Sequence, residues 1–213
     1  MKTLVAIPCM DSMPTPAVKS LFYLDKGENV SLSFLPGTLI YDGRNFLSLI
    51  AIQEKFDRVM WLDSDMTFPR DTIKRMHAHF DADPDVHMVT GLYTTRRPPV
   101  GPTIFDRVEP PLRDKEGNVI KRVHQYKDYP ENAFFPVQGC GFGCVMTSVK
   151  LLFDVWDHFD DAFTPLTWVG EDLSFCRKVT ELGYTIWCDS SITCGHIGQM
   201  EYTTDMIFRG DEA

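Results

Sequence analysis

The stretch Arg58-Val59-Met60-Trp61-Leu62-Asp63-Ser64-Asp65-Met66 decides the reading of this chain. A short apolar run ends abruptly in two carboxylates one residue apart. Such a run reads as a buried strand. In open α/β sheets, ligands bind beyond the carboxyl ends of the strands, which is where Asp63 and Asp65 then stand. Two carboxylates so close repel each other unless a cation lies between them. Hard oxygen donors suit Mg²⁺ or Mn²⁺, and Mg²⁺ is usually held by one or two carboxylates together with substrate phosphates. The segment therefore points to metal-bound phosphate chemistry. Its bland reading is a pair of carboxylates capping a helix ahead of Pro69.

The flanking sequence alternates strand and helix. Thr3–Pro8 reads as a strand, and Pro14 and Pro16 suit the first turn of a helix running to about Lys26. Asn29–Leu35 alternates as a strand. Asp42-Gly43 precedes a helical pattern over Arg44–Phe56, whose apolar positions form one broad face. After the strand Arg58–Leu62, Pro69 and Arg70 open a helix ending near Phe80, and His87–Leu92 is a further strand. This alternation predicts an α/β fold with a largely parallel sheet and right-handed crossovers.

Residues 96–136 change character, with charge blocks, many prolines and a turn signal at Lys115-Glu116-Gly117-Asn118 that predicts a hairpin. The segment reads as an insertion over the site or a mobile lid; a solvated surface loop is the bland alternative. Order returns with a strand at Cys144–Ser148, a helix at Val149–His158 and an amphipathic helix at Glu171–Leu182 stopped by Gly183. Tyr184–Cys188 and Ser191–Cys194 read as two short strands, and residues 203–213 as a loose tail.

The chain has 213 residues, 44% of them hydrophobic and 24% charged, and this predicts one soluble domain spanning 1–213. A net charge of −9 disfavours broad attachment to nucleic acid or anionic membrane. No apolar stretch approaches the ~20 residues of a transmembrane helix. Pro8 ends the first apolar run too early for a signal peptide, so a cytoplasmic location is expected. None of the six cysteines forms a C-x-x-C pair, which removes support for a zinc ribbon or thioredoxin-like site. Cys140 and Cys144 read as buried, close-packing thiols.

Three further constellations carry chemistry. Gly170-Glu171-Asp172 opens the amphipathic helix. Acids there are stabilised by the helix dipole, so capping alone accounts for them. The preceding apolar loop, 163–170, would also desolvate them, and that turns a carboxylate into a useful general base. Cys194-Gly195-His196-Ile197-Gly198 places a histidine between glycines just after a strand, and an imidazole ligand tilts preference from Mg²⁺ toward Mn²⁺. Gln138-Gly139-Cys140-Gly141-Phe142-Gly143 allows close backbone approach to a ligand, or is a tight turn.

Together, in this order, these features resemble a GT-A fold glycosyltransferase, close to the family 2-type enzymes, over roughly residues 2–198. The resemblance implies a Rossmann-like, mostly parallel sheet flanked by helices, with a small antiparallel β insertion. Ala6-Ile7-Pro8 resembles the nucleotide-base edge, and Asp42-Gly43-Arg44-Asn45 the Arg-Asn element before the second helix. Leu62-Asp63-Ser64-Asp65 resembles the D-x-D motif that grips a diphosphate through a divalent cation. Gly139–Gly143 resembles the glycine-rich stretch beside the donor sugar, Glu171-Asp172 the acidic pair of the catalytic helix, and His196 the late histidine that completes the metal site.

The resemblance implies transfer of a sugar from a nucleotide-diphosphate sugar, UDP- or GDP-linked, to an acceptor hydroxyl, with inversion by single displacement. It implies Mn²⁺ or Mg²⁺ held by Asp63, Asp65 and His196, with Asp172 as base and Glu171 positioning the acceptor. Pro8, Arg44, Ser64, Gly139 and Gly141 fall on the donor side, and Trp168 is placed to stack on the acceptor. Arg44, Arg96 and Arg97 are the candidate phosphate contacts. The chain lacks the Q-x-x-R-W motif of processive synthases, and its small size suits a macromolecular acceptor that brings its own binding surface. A nucleotidyltransferase, a nucleotide-sugar hydrolase and a non-catalytic nucleotide-sugar binding module are the competing readings. The loop after the first strand, Cys9-Met-Asp-Ser-Met-Pro14, has neither the glycines nor the basic residue that a nucleotidyltransferase places there. Arg96-Arg97 and Lys121-Arg122 raise a modified nucleic-acid base as one acceptor class.

Overall fold

In β1 (Thr3–Cys9), side chains alternate between two cores. Leu4 and Ala6 join one apolar cluster, Val5 and Ile7 the other. This period of two, buried on both faces, is what a central strand requires. The computed structural model describes residues 1–96 and 98–198. Arg97 and the expected loose tail at 203–213 lie outside the described residues.

The chain continues through α1 (Thr15–Tyr23), β2 (Val30–Pro36), α2 (Ile40–Gln53), β3 (Arg58–Leu62), β4 (Met66–Thr67), α3 (Thr72–Ala82) and β5 (Met88–Leu92). Then come β6 (Ile104–Arg113), β7 (Val119–Gln125), β8 (Phe134–Val137), β9 (Gly139–Cys140) and β10 (Cys144–Ser148). The described part ends with α4 (Val149–Phe159), α5 (Glu171–Glu181), β11 (Ile186–Thr193) and β12 (Gly195–His196). No helix among the described residues is long and apolar enough to cross a membrane.

Seven strands form the main sheet in the order β2-β1-β3-β10-β5-β11-β8. Five run in one direction; β10 and β8 are reversed, as their antiparallel pairings with β3, β5 and β11 show. The sheet is thus mostly parallel, with a reversed strand inserted between β3 and β5 that the β-α alternation does not reveal. Helices α2, α4 and α5 cover one face, through Leu47, Leu151, Val155 and Phe175. Helices α1 and α3 cover the other, through Leu21, Ile73 and Met76. The indole of Trp61, fully buried on β3, donates to Thr147 Oγ1 at 3.0 Å, which satisfies its one polar atom.

Several boundaries differ from the sequence expectation. Helix α1 stops at Tyr23 instead of running to Lys26. Helix α2 starts at Ile40, so Gly43 and Arg44 sit inside it. A Cβ on Gly43 would meet Thr38 Oγ1 at 2.8 Å and Pro8 Cβ at 3.6 Å, so this glycine lets α2 close on the end of β1. The two short strands expected over 184–194 are one strand, β11, with a register shift between Asp189 and Thr193. The expected hairpin is β6–β7, and it extends through β9 into a separate three-stranded sheet.

Candidate active site

The carboxyl ends of β3 and β5, the N-terminus of α5 and the β12 bridge converge on one cleft of about 570 Å³. Arg44, Asp63, Asp65, Glu171, Asp172 and His196 all line it. Strand β4 pairs antiparallel with β12, His196 opposite Met66, and Ile197 N–H donates to the Asp65 carbonyl at 2.8 Å. That small ladder carries His196 back to the acidic pair.

Arg44 occupies the centre. Its side chain is 3% exposed, and it donates to Asp63 Oδ1 at 2.8 Å and to Glu171 Oε1 at 2.7 Å. The guanidinium lies over the Phe142 ring, 5.1 Å from its centroid. Its Nε has no hydrogen-bond partner among the described residues. Burial pulls the guanidinium pKa down, but Asp63, Glu171 and Asp172 outweigh it, so the net shift is upward. Arg44 thus ties two carboxylates together, and it also lines the adjoining cleft beside Pro8 and Ser64.

Asp65 is held by Arg96 and by His196, whose Nε2 stands 3.5 Å from its carboxylate. Burial alone would raise the Asp65 carboxyl; the hydrogen bond and charge of His196, then Arg96, overcome it and hold the group below its ordinary value. The hydrogen bond to Asp65 raises His196. His196 Nδ1 lies 2.9 Å from the Thr94 carbonyl. A carbonyl only accepts, so Nδ1 carries a proton; the bond to Asp65 uses a second proton on Nε2, in the imidazolium form, and loss of that proton frees the Nε2 lone pair.

Asp172 is pushed up to about 6, mainly by burial and next by the Glu171 charge. Tyr93, missed by the sequence reading, closes the cleft from the end of β5. Its hydroxyl accepts the Gly143 N–H at 2.9 Å, and burial followed by the Asp63 charge drives its pKa well above the usual phenol value. It therefore stays a neutral O–H. Its position at the carboxyl end of a predicted strand was the available signal.

The remaining expected site residues divide. Pro8 and Ser64 line an adjoining cleft of about 380 Å³, which shares Asp63, Asp65 and Glu171. Gly141 lines the main cleft. Gly139 does not: it packs beneath, where a Cβ would meet Val108 Cγ2 at 2.8 Å and Leu173 Cδ2 at 3.0 Å. Trp168 lies outside the acidic cleft, in an apolar groove of about 490 Å³ beneath the β6–β7 hairpin. Leu173, the neighbour of Asp172, lines that groove as well.

Among the described residues, no three His, Cys, Asp or Glu side chains are gathered tightly enough to hold a metal ion. Asp63 is engaged by Arg44, apart from the Asp65–His196 pair. The donor chemistry of that pair, one carboxylate and one oriented imidazole, nevertheless fits a divalent ion of the Mn²⁺ type.

No family model and no curated protein matches the chain. Among solved structures, A197 from STIV superposes with a TM-score of 0.67 at 20% identity, over 93% of this chain and 87% of that one. GalNAc-T7, a GT-A glycosyltransferase solved with UDP, GalNAc and Mn²⁺, superposes with a TM-score of 0.58 at 12% identity. The match covers 99% of this chain and 46% of GalNAc-T7.

The fold is GT-A-like. The large, mostly parallel central sheet flanked by helices carries this likeness. The chain spans about half the length of GalNAc-T7, and nothing in the comparisons narrows the likeness to family 2.

Proposed function

We propose that this chain is a divalent-metal-dependent glycosyltransferase using a nucleotide-diphosphate sugar, with UDP-linked donors the first to try. The observation that carries the reading is the meeting of Asp63, Asp65, Glu171, Asp172 and His196 in one cleft, from segments far apart in sequence. The UDP and Mn²⁺ in the GalNAc-T7 structure support the donor class and the metal.

Asp65 and His196 would hold the ion, with Asp63 joining once released from Arg44. A bound Mn²⁺ or Mg²⁺ supplies Lewis-acid neutralisation of charge on the leaving diphosphate. Pro8 and Ser64 flank the adjoining cleft and suit the nucleotide side; Gly141 suits the sugar side. Asp172 takes the proton from the acceptor hydroxyl as its oxygen bonds to the anomeric carbon and the bond to the diphosphate breaks. One displacement of this kind inverts the anomeric centre. Burial raises Asp172 toward the pH at which a base works well. Glu171, tied to Arg44, fixes the first turn of α5 and so the direction of Asp172. Trp168, one groove away, supports an acceptor that reaches beneath the hairpin.

The test is nucleoside-diphosphate release from a panel of nucleotide sugars. Asp172→Asn is expected to abolish release and leave metal-dependent donor binding nearly intact, whereas Asp65→Asn weakens binding itself. Wild-type turnover by Asp172→Asn would remove the base assignment.

A further inference from the structure

Among the described residues, the β2 edge of the main sheet is bare. β2 is its terminal strand and pairs only with β1, so among the described residues its outward N–H and C=O groups meet no other strand. Natural edge strands are usually blunted by charge, a bulge or an internal proline. β2 has none of these before Pro36, and no charged residue stands between Glu28 and Asp42, in a chain with 21 basic and 30 acidic residues.

The flank of this edge is apolar. Leu32 and Phe34 follow Val30 at spacing two and so share its face of the sheet, where Val30 joins the core built around Leu21 and Leu24 of the α1 segment. They are 37% and 48% exposed. On the same side, Val18 and Phe22 stand one turn apart on α1, and Phe22 is 77% exposed with Tyr23 edge-on to it at 5.3 Å. An aromatic side chain carries about 150–250 Å², so these exposed groups present roughly 500 Å² of apolar surface per molecule. That is about the limit of what a soluble monomer leaves open. It is also more than half of the ~800 Å² per partner of a stable interface, and the strand edge supplies more.

We propose that β2 pairs antiparallel with β2 of a second copy of this chain, forming a two-fold dimer sealed by Phe22, Leu32 and Phe34. A strand edge is satisfied by another extended strand, and a two-fold axis sets the same apolar flank against itself. The local charge does not oppose a copy as the occupant. Two chains of net −9 repel over most of their surface, and the uncharged stretch 29–41 is where they approach at least electrostatic cost.

The full-length chain is to be examined by sedimentation velocity over a dilution series, beside Leu32→Lys and Phe22→Asp. Wild type is expected as a dimer that dissociates on dilution, and each variant should weaken it by roughly tenfold or more. Thermal unfolding and metal-dependent UDP binding of the variants check that they remain folded. A wild-type monomer at every concentration overturns the proposal, as does a dimer that neither variant weakens. Amide exchange provides a second reading that needs no variant. Protection over residues 30–36 should fall as the dimer dissociates; protection unchanged on dilution means the edge is covered within one chain and contradicts the proposal.

Discussion

The Arg44 guanidinium donates to Glu171 at 2.7 Å across 127 residues of sequence, and its other arm donates to Asp63. One buried cation therefore ties the carboxyl end of β3 to the N-terminus of α5. The metal-side and base-side carboxylates of the proposed reaction share this tie, and each depends on it for its charge balance.

Removing the tie is expected to be costly. Arg44→Met leaves two carboxylates facing Asp172 without a counter-charge. Breaking a buried ion pair costs about 3–5 kcal/mol; the partial exposure of Asp63 and Glu171, 28% and 20%, puts this case toward the low end. Arg44→Lys, with one ammonium in place of a fork, should recover only part of the loss. Urea unfolding of the three proteins measures it.

Asp172 and His77 pull the acid stability profile in opposite directions. Asp172 rises from 3.8 to about 6 on folding, chiefly by burial, so between those values the folded chain binds the extra proton. Its contribution is fully present below pH 3.8 and is lost as pH climbs through about 6. His77 falls from 6.5 to about 4, first by burial and then by the Arg58 charge, so the unfolded chain binds the extra proton. Its contribution is present above pH 6.5 and lost on acidification toward 4. Asp172→Asn should therefore steepen the acid loss and stabilise the protein near pH 7 by about 1–3 kcal/mol. His77→Gln should lose less stability than wild type between pH 6.5 and 4. Denaturation midpoints over this range test both signs.

Arg96 sits on Asp65, the carboxylate that would hold the divalent ion in the proposed reaction. A guanidinium and a metal ion compete for Asp65, so Arg96→Ala should bind Mn²⁺ alone more tightly, by several-fold, while Asp65→Asn loses that binding. Titration of Mn²⁺ without nucleotide, followed by electron paramagnetic resonance, reads this directly. Tighter binding in wild type than in Arg96→Ala would assign Arg96 a supporting place at the metal instead.

Gly143 holds the Tyr93 ring in place. A Cβ there would stand 2.8 Å from Tyr93 Cζ and 2.9 Å from Met66 Sδ, both in packed surroundings. Gly143→Ala should cost about 1–3 kcal/mol through forced repacking and should weaken donor binding, because the Tyr93 hydroxyl leaves the cleft wall. Gly183→Ala, at a helix end with open space around it, serves as the control for stability loss alone; its φ of +84° explains its cost by backbone strain.

The sequence disclosed the parts of the site that local pattern encodes. An apolar run ending in Asp63-Ser64-Asp65 and a dipole-favoured Glu171-Asp172 are readable because strand end and helix start are local events. The role of Arg44 was not readable: its two partners come from different segments, and its place inside α2 depends on Gly43 packing against Thr38 and Pro8. Strand β10 was recognised as a strand but not as reversed, because direction is set by which neighbours it meets. Local pattern does not announce that Trp168 lines an apolar groove beside the β6–β7 hairpin or that Gly139 packs against Val108 and Leu173.

Thermal unfolding of the wild-type chain with UDP-, GDP-, dTDP- and CMP-sugars, each with Mn²⁺, Mg²⁺ or EDTA, tests the central claim most directly. A ligand at 100 times its dissociation constant stabilises the native state by about 2.7 kcal/mol, a shift of several degrees in a domain of this size. The account predicts such a shift with one nucleotide class, abolished by EDTA and by Asp65→Asn. No shift with any donor, or a shift that EDTA and Asp65→Asn leave unchanged, would contradict it.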